Sequence, residues 1–555
     1  MSDGHGQSPP TSPVNNPLRR LDEYDAGKQI ELEKTTVSQD TSSTPSRCPS
    51  PQRDGGKTMV SFEDGDVENP YNFSQIKKLY IVITAIMLVM NSTIGSSVPS
   101  GSAAATLNHF HINNREDLVL PNSIYLVGYV LGPLAFSPLS ETYGRKIVMI
   151  ATFAIFTAFT LGCALTPTFA GLIVMRFLVG IGASTPVSVV GGIYADIYNT
   201  RKARGLVITL FMAATTWGPL IGPIASGYTA HISWRWSYWI LLIIAGATWP
   251  LLIFMPETYG PVILKRKAQR MRKATGDETI VAPVELEKVD VRELIVVILT
   301  RPIRMFLFEA IVFCSCLYLA VAYGIFFMYF QAYPIIFEGI YGFSAGEEGL
   351  AFIPIGVGAA IASIVYLAWD GYLDRAQSRT SPPAWSQIEE YVRLPLACLG
   401  GPLFVASLFW LGWTAKPSIH WIVPTMSALP FGLGFLLVFM GQLNYIVDAY
   451  EVFAASATGA AACTRAVFGV VLPFAAAPMY DRLGVAWACS TLAFLSLLMS
   501  LIPFVFIRFG DRIRANSKFC QELKRKKEAS EAETARRRES QAAVRQPVED
   551  PEKQV

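Results

Sequence analysis

The stretch Ala310-Ile-Val-Phe-Cys-Ser-Cys-Leu-Tyr-Leu-Ala-Val-Ala-Tyr-Gly-Ile-Phe-Phe-Met-Tyr-Phe330 carries no charge and has no polar face. Wound as a helix at 1.5 Å per residue, it reaches about 30 Å, the thickness of a bilayer's hydrocarbon. It belongs to a span expected over about Ile303–Phe330, and eleven similar spans flank it. Before it come Leu79–Pro99, Val119–Leu139, Ile147–Leu165, Phe169–Val190, Leu206–Tyr228 and Trp236–Met255. After it come Glu347–Trp369, Leu394–Trp413, Trp421–Tyr445, Ser456–Ala477 and Ala486–Phe506. Composition agrees with an all-α membrane protein of twelve transmembrane helices. Of 555 residues, 52% are apolar and 16% charged, against roughly 25% charged in soluble chains.

The charges crowd into the tails and a few loops, so the net +3 reports orientation and gives no reason to expect nucleic acid as a partner. With the amino terminus in the cytoplasm, Lys77, Lys78, Arg145, Lys146, Arg201, Lys202, Arg204 and Arg393 all fall on the inner side. The run Lys265-Arg266-Lys267 does too, while Arg115, Arg235, Lys416 and Arg482 are left outside. Both termini are therefore expected in the cytoplasm. Residues 1–70 read as a disordered cytoplasmic tail without a cleavable signal. Six-helix bundles are expected over 71–256 and 303–507, a cytoplasmic loop over 257–302, and a charged cytoplasmic tail over 508–555 with a helix near Lys518–Ala543. The two halves form a weak internal repeat. Parallel repeats of this kind place a small-molecule site near the midplane and work by alternating access.

Six of the eight cysteines lie inside apolar spans and read as small packing residues. No phosphate-binding loop, metal-ligand cluster or nucleophile cluster is present in the expected context. An enzyme, a cofactor, a metal and an ATP-driven pump are therefore not expected.

Several local patterns resemble the major facilitator superfamily. The loop after the second span runs from Gly132 through Glu141 to Gly144-Arg145-Lys146, similar to that superfamily's loop signature, with Asp196 as a gate partner. The fifth span carries Gly218-Pro219-Leu-Ile-Gly222-Pro223-Ile-Ala-Ser-Gly227, which resembles the motif of its proton-driven antiporters. Arg176, in Arg176-Phe-Leu-Val-Gly180, resembles its intramembrane arginine, proposed there to help move protons. Asn69-Pro70-Tyr-Asn72, Pro256-Glu257-Thr258-Tyr259 and Asn444-Tyr-Ile-Val-Asp448 resemble the fungal drug:proton antiporters with twelve spans.

That resemblance implies the major facilitator fold of two pseudo-symmetric six-helix bundles. It also implies export of amphipathic drugs, toxins or secondary metabolites in exchange for protons, by a monomer in a plasma or vacuolar membrane. It places the cavity along the first, fourth, seventh and tenth spans. Its candidate lining here is Asn91, Ser96, Tyr318, Tyr323, Gln331, Phe439, Gln442 and Asn444.

For the proton, Glu309 is expected about two turns inside the seventh span, with Arg465 at a similar depth in the eleventh. Two roles stay open: a carboxyl that takes up and releases a proton, or half of an ion pair with Arg465. Uptake of a nutrient or polyamine by the same fold is the alternative function. A non-transporting membrane receptor is a third.

Overall fold

A computed structural model of the chain describes residues 53–54, 57–63, 65–112, 115–286, 291–450, 453–517 and the single positions 519, 521 and 525. Among the described residues, ten helices are long and apolar enough to cross a membrane. The bent helix Leu120–Tyr143 adds one crossing, and the run Ala454–Asn516 holds two, which makes twelve. They are α1 (Gln75–Ser97), α2 (Leu120–Tyr143), α3 (Arg145–Leu165), α4 (Phe169–Ile197), α5 (Arg201–Thr229) and α6 (Trp236–Phe254). The second half has α7 (Ala310–Tyr333), α8 (Ile353–Gln377), α9 (Glu389–Thr414) and α10 (Ala428–Tyr450). Its α11 and α12 are the two arms of Ala454–Asn516 on either side of Gly484.

Local chemistry sets the breaks. Between α2 and α3 stands one residue, Gly144, at φ 104°, a conformation that side chains resist and glycine accepts. Gly484, at φ 72°, turns the chain between α11 and α12 in the same way. The Thr168 side chain accepts the backbone N–H of Gly171 and starts α4. The helix α2 bends by 43° between Leu120–Gly132 and Leu134–Tyr143.

Within the halves, α2 packs on α4, α1 on α5, α9 on α10 and α7 on the α11–α12 run. The halves meet along two seams, α5 against α8 and α2 against the α11–α12 run. In the first, the Gly356 Cα faces the Trp217 ring. In the second, Ser123 Oγ donates to the Val470 carbonyl at 3.1 Å.

Two expectations need correction, and a third falls outside the described residues. The seventh span does not begin at Ile303. Val291–Phe308 forms a separate helix, and Glu309, extended at φ −105° and ψ 110°, divides it from α7. Ile303, Leu307 and Phe308 are exposed, so that helix shows an apolar stripe that hydropathy alone reads as the start of a crossing.

The amino-terminal tail, expected to be without structure to residue 70, has paired segments among its described residues. Arg53–Asp54 and Lys57–Met59 are antiparallel strands, and the second pairs in parallel with Ile280–Val281 of the central loop. Val60, Ala268, Ile280 and Ala282 form a small core there. The helix expected near Lys518–Ala543 lies almost wholly outside the described residues.

Candidate functional site

The ends of the helices that carry the basic loops hold a repeated clasp. In the first half, Arg145 at the start of α3 donates through Nε to Asp196 Oδ2 near the end of α4, at 3.2 Å. Its Nη1 reaches Ser140 Oγ at 2.7 Å and lies 3.6 Å from Glu141 Oε1. Gly192 leaves the room that this guanidinium fills. In the second half, Arg393 near the start of α9 donates to Asp448 Oδ2 near the end of α10, at 2.6 Å. Third helix is joined to fourth in each half, so the internal repeat extends to individual side chains. Arg145 and Arg393 are both largely buried, and a bidentate-capable guanidinium suits such sites better than an ammonium.

Glu257 completes the first clasp. Its carboxylate accepts backbone N–H groups from Arg145 (2.9 Å), Lys146 (3.3 Å), Thr258 (3.0 Å) and Tyr259 (3.1 Å). An anion at a helix start satisfies donors that have no partner in the first turn. A Cβ on Gly144 would overlap this carboxylate. Glycine is thus required there both by its φ and by the approach of Glu257.

The antiporter-like motif on α5 is a set of close approaches. Side chains at Gly218 and Gly222 would overlap Thr93 and Ser97 of α1. A side chain at Gly227 would overlap the Ala345 carbonyl of the short helix Ala345–Leu350, which belongs to the other half. Gly132 of α2 does the same service for α4 against Ser184. Pro219 and Pro223 lie inside α5, where each leaves the carbonyl one turn back without its usual donor.

Arg176 is fully buried. It donates from Nε to the Pro121 carbonyl at 2.9 Å and from Nη1 to the Gly95 carbonyl at 2.8 Å, over the ring of Tyr125. It ties α4 to α2 and α1.

Glu309 is 4% exposed and accepts a hydrogen bond from Tyr450 Oη at 3.0 Å. The pair with Arg465 is not formed. Arg465 lies near Cys316 and over Tyr323, roughly two to four turns further along α7.

The polar candidates of the cavity fall into separate places. Asn91 donates to Thr248 Oγ1 of α6 at 2.8 Å, and Ser96 to the Thr93 carbonyl, so both are packing groups of the first half. Tyr318 faces Gly401 and Ser500 on the side of α9 and α12. Gln442 accepts from Ser315 Oγ at 3.0 Å, and Asn444 donates to Tyr366 Oη beside the Arg393–Asp448 clasp. Gln331 is half-buried near the end of α7.

What gathers at the centre is Tyr323, Phe439 and Arg465 of the second half with Tyr129 of the first. The Arg465 guanidinium lies 5.7 Å from the Tyr323 ring and 5.3 Å from the Phe439 ring, with Tyr129 close by. Tyr129 Oη meets Ser92 Oγ at 2.6 Å. Tyr129, Tyr323 and Arg465 each keep some open surface where the two halves meet. Tyr323 and Phe439 are both expected on the lining, whereas Arg465 is expected only beside Glu309. Tyr129 and the capping role of Glu257 were not expected at all.

Comparison with known proteins follows from this geometry. A family model described as "Major Facilitator Superfamily" matches residues 80–473. The chain is 37% identical over 467 residues to "Efflux pump FUBT" of Fusarium oxysporum, covering 83% of this chain and 78% of that one. It is 35% identical over 468 residues to "Major facilitator superfamily multidrug transporter mdrA" of Aspergillus fumigatus, covering 83% and 75%. Among solved structures, the proton:xylose symporter XylE superposes with a TM-score of 0.55 at 16% identity, over 79% of this chain and 96% of that one. The human organic anion transporter MFSD10 gives 0.53 at 16% identity, over 77% and 99%. These two likenesses concern the fold alone.

Proposed function

This chain belongs to the major facilitator superfamily, and from that premise we propose that it exports small amphipathic organic compounds in exchange for protons. As a multi-pass member it is a secondary active transporter of small molecules and not an enzyme. The observation that carries export is the α5 motif, whose glycines seat α1 on one face and the opposite half on the other. The names of the fungal relatives, efflux pump and multidrug transporter, point the same way.

The halves, 71–256 and 303–507, rock about the α2–α11 and α5–α8 seams as monomeric units in a lipid bilayer. The Arg145–Asp196 and Arg393–Asp448 clasps keep the ends of each half rigid while the halves part. The clasps face the cytoplasm, as do both tails and the 257–302 loop, because lysine and arginine accumulate there. The membrane is the plasma membrane. Glu309 is the carboxyl that takes up and releases the proton, with Tyr450 as its hydrogen-bonding partner. Arg176, satisfied by two carbonyls, positions α4. Each proton entering down one pH unit supplies about 1.4 kcal/mol, with about 2.3 kcal/mol more per charge at 100 mV. A hundredfold export gradient requires about 2.7 kcal/mol. One proton is enough.

The test is accumulation of a panel of fluorescent amphipathic dyes in cells with and without the chain. Export lowers accumulation, and a protonophore restores it. Unchanged accumulation across the whole panel removes the proposal, and proton-driven uptake into the same cells replaces it with the symport reading.

A further inference from the structure

Among the described residues, several buried or half-buried arginines are balanced by acids. Arg145 has Asp196 and Glu141, Arg393 has Asp448, and Arg514 has Glu390 at 2.7 Å. Arg176 lacks an acid but holds two carbonyls and a tyrosine face. Arg465 has one hydrogen bond, from Nε to the Ala461 carbonyl of its own helix at 3.3 Å, and two aromatic rings.

Among the described residues, the carboxylates on the elements around Arg465 are engaged or distant. Glu141 and Asp448 belong to the two clasps, and Glu309 is held by Tyr450. Asp481 is sixteen residues further along α11, about 24 Å at helical rise. A guanidinium does not give up its proton in a protein, and a cation inside a membrane protein is expensive unless something compensates it. The rings compensate in part. They leave the planar donor edge of the group without an acceptor, on a side chain that keeps some open surface.

We propose that Arg465 is an anion-binding subsite of the central cavity, and that the compounds it admits are amphipathic monocarboxylates. A carboxylate matches the two parallel donors of a guanidinium. A single negative charge leaves the pair neutral, whereas a phosphate dianion would bring a second charge with no cation beside it. Tyr323 and Phe439 supply faces for an aromatic or aliphatic body, and Tyr129 brings a hydroxyl from the first half. Because Tyr129 and Arg465 lie on opposite sides of the α2–α11 seam, a ligand touching both senses the rocking of the halves. The inference rests on the small-molecule export reading and narrows its substrate class.

The test is equilibrium binding to the purified full-length chain in lipid nanodiscs, with empty discs as background. The probes are 2-naphthoate, its methyl ester and 2-naphthylmethylammonium. The wild type is expected to bind the acid roughly tenfold or more tightly than the ester or the ammonium, as a charge-assisted pair implies. Arg465→Gln is expected to lose that preference while its ester affinity stays within about twofold. Arg465→Lys, which keeps the charge without the fork, is expected to fall between them.

Acid binding that is absent from the wild type, or equal to ester binding, overturns the inference. So does an Arg465→Gln protein that retains the acid preference. If the variants fail to fold, the wild-type ranking of the three probes still decides. Binding needs no gradient, so acid binding without efflux counts against proton-driven export alone. Efflux of neutral dyes without acid binding counts against the anion subsite alone.

Discussion

The carboxylate of Glu257 accepts the backbone N–H of Arg145 at 2.9 Å, across 112 residues of chain. The start of the central loop thereby caps the third helix, at the one-residue turn made by Gly144. Glu257→Ala removes the acceptor of four N–H groups. Loss of a helix cap is worth about 0.5–2 kcal/mol, and this site is buried. The purified variant is expected to unfold at a lower temperature than the wild type in the same detergent, with Glu257→Gln falling between. An unchanged melting temperature for Glu257→Ala would show that the cap is incidental.

Gly227 and Gly246 offer a paired test of the α5 motif. A side chain at Gly227 overlaps the Ala345 carbonyl, whereas one at Gly246 on α6 meets nothing within 4 Å. Gly227→Val is expected to reduce dye efflux at least tenfold at equal surface expression, and Gly246→Val to leave it within about twofold, since exposed substitutions are close to neutral. Equal effects at the two positions would remove the seam from the mechanism.

The proposed proton role of Glu309 can be tested apart from substrate movement. Glu309→Gln keeps the hydrogen bond with Tyr450 but cannot ionise. It is expected to abolish gradient-driven efflux from proteoliposomes while substrate-for-substrate exchange continues. Tyr450→Phe, which removes the hydroxyl that Glu309 accepts from, is expected to shift the pH profile of efflux without abolishing it. A Glu309→Gln protein that still concentrates dye against its gradient would move the proton site elsewhere.

The two clasps predict parallel phenotypes. Arg145→Lys and Arg393→Lys retain charge but lose the planar fork, and each is expected to lower both thermal stability and efflux. Charge reversal of a whole clasp, Arg145→Asp with Asp196→Arg, is expected to recover part of the loss relative to either single change. No recovery in the double variant would mean that the pair's surroundings, and not its mutual attraction, set its contribution.

Acid should loosen the amino-terminal segment. The Lys267 ammonium, hydrogen-bonded to Asp66 at 2.6 Å, holds that carboxyl below its ordinary value of 3.8. A depressed carboxyl stabilises the folded form above its unfolded value, and that contribution is lost as pH falls through the folded one. Hydrogen exchange at the Thr58 and Val60 amides, which donate to the Thr279 and Val281 carbonyls, is expected to stay protected at neutral pH. Once intrinsic exchange rates are allowed for, protection should decline below about pH 3.8. Lys267→Ala should weaken it at neutral pH.

The crossings were legible because lipid demands about twenty apolar residues in a row, and that demand is local. The start of α7 was not. Val291–Phe308 has the hydropathy of a crossing over its last turns, and only the extended backbone of Glu309 separates the two helices. The clasp residues Arg145 and Glu141 are legible through resemblance to a known pattern, and Asp196 through its place at a span end. Their counterparts Arg393 and Asp448 match in role, not in surrounding sequence, and so went unpaired. Polar residues on the expected lining helices, such as Asn91 and Tyr318, pointed to other neighbours. Which way a side chain turns on a helix that is apolar all round cannot be read from period alone.

The pairing of Lys57–Met59 with Ile280–Val281 also constrains biogenesis. The first of these strands leaves the ribosome before any crossing is made, and its partner follows some two hundred residues later. Throughout that interval the strand must remain outside the bilayer, without its Ile280–Val281 partner and on the side where the connector will emerge. Closing the small sheet therefore marks the moment when six crossings have been threaded. A fusion or deletion at the extreme amino end that spares residue 57 onward should leave this checkpoint intact, whereas one reaching Thr58 should delay maturation without touching a single crossing.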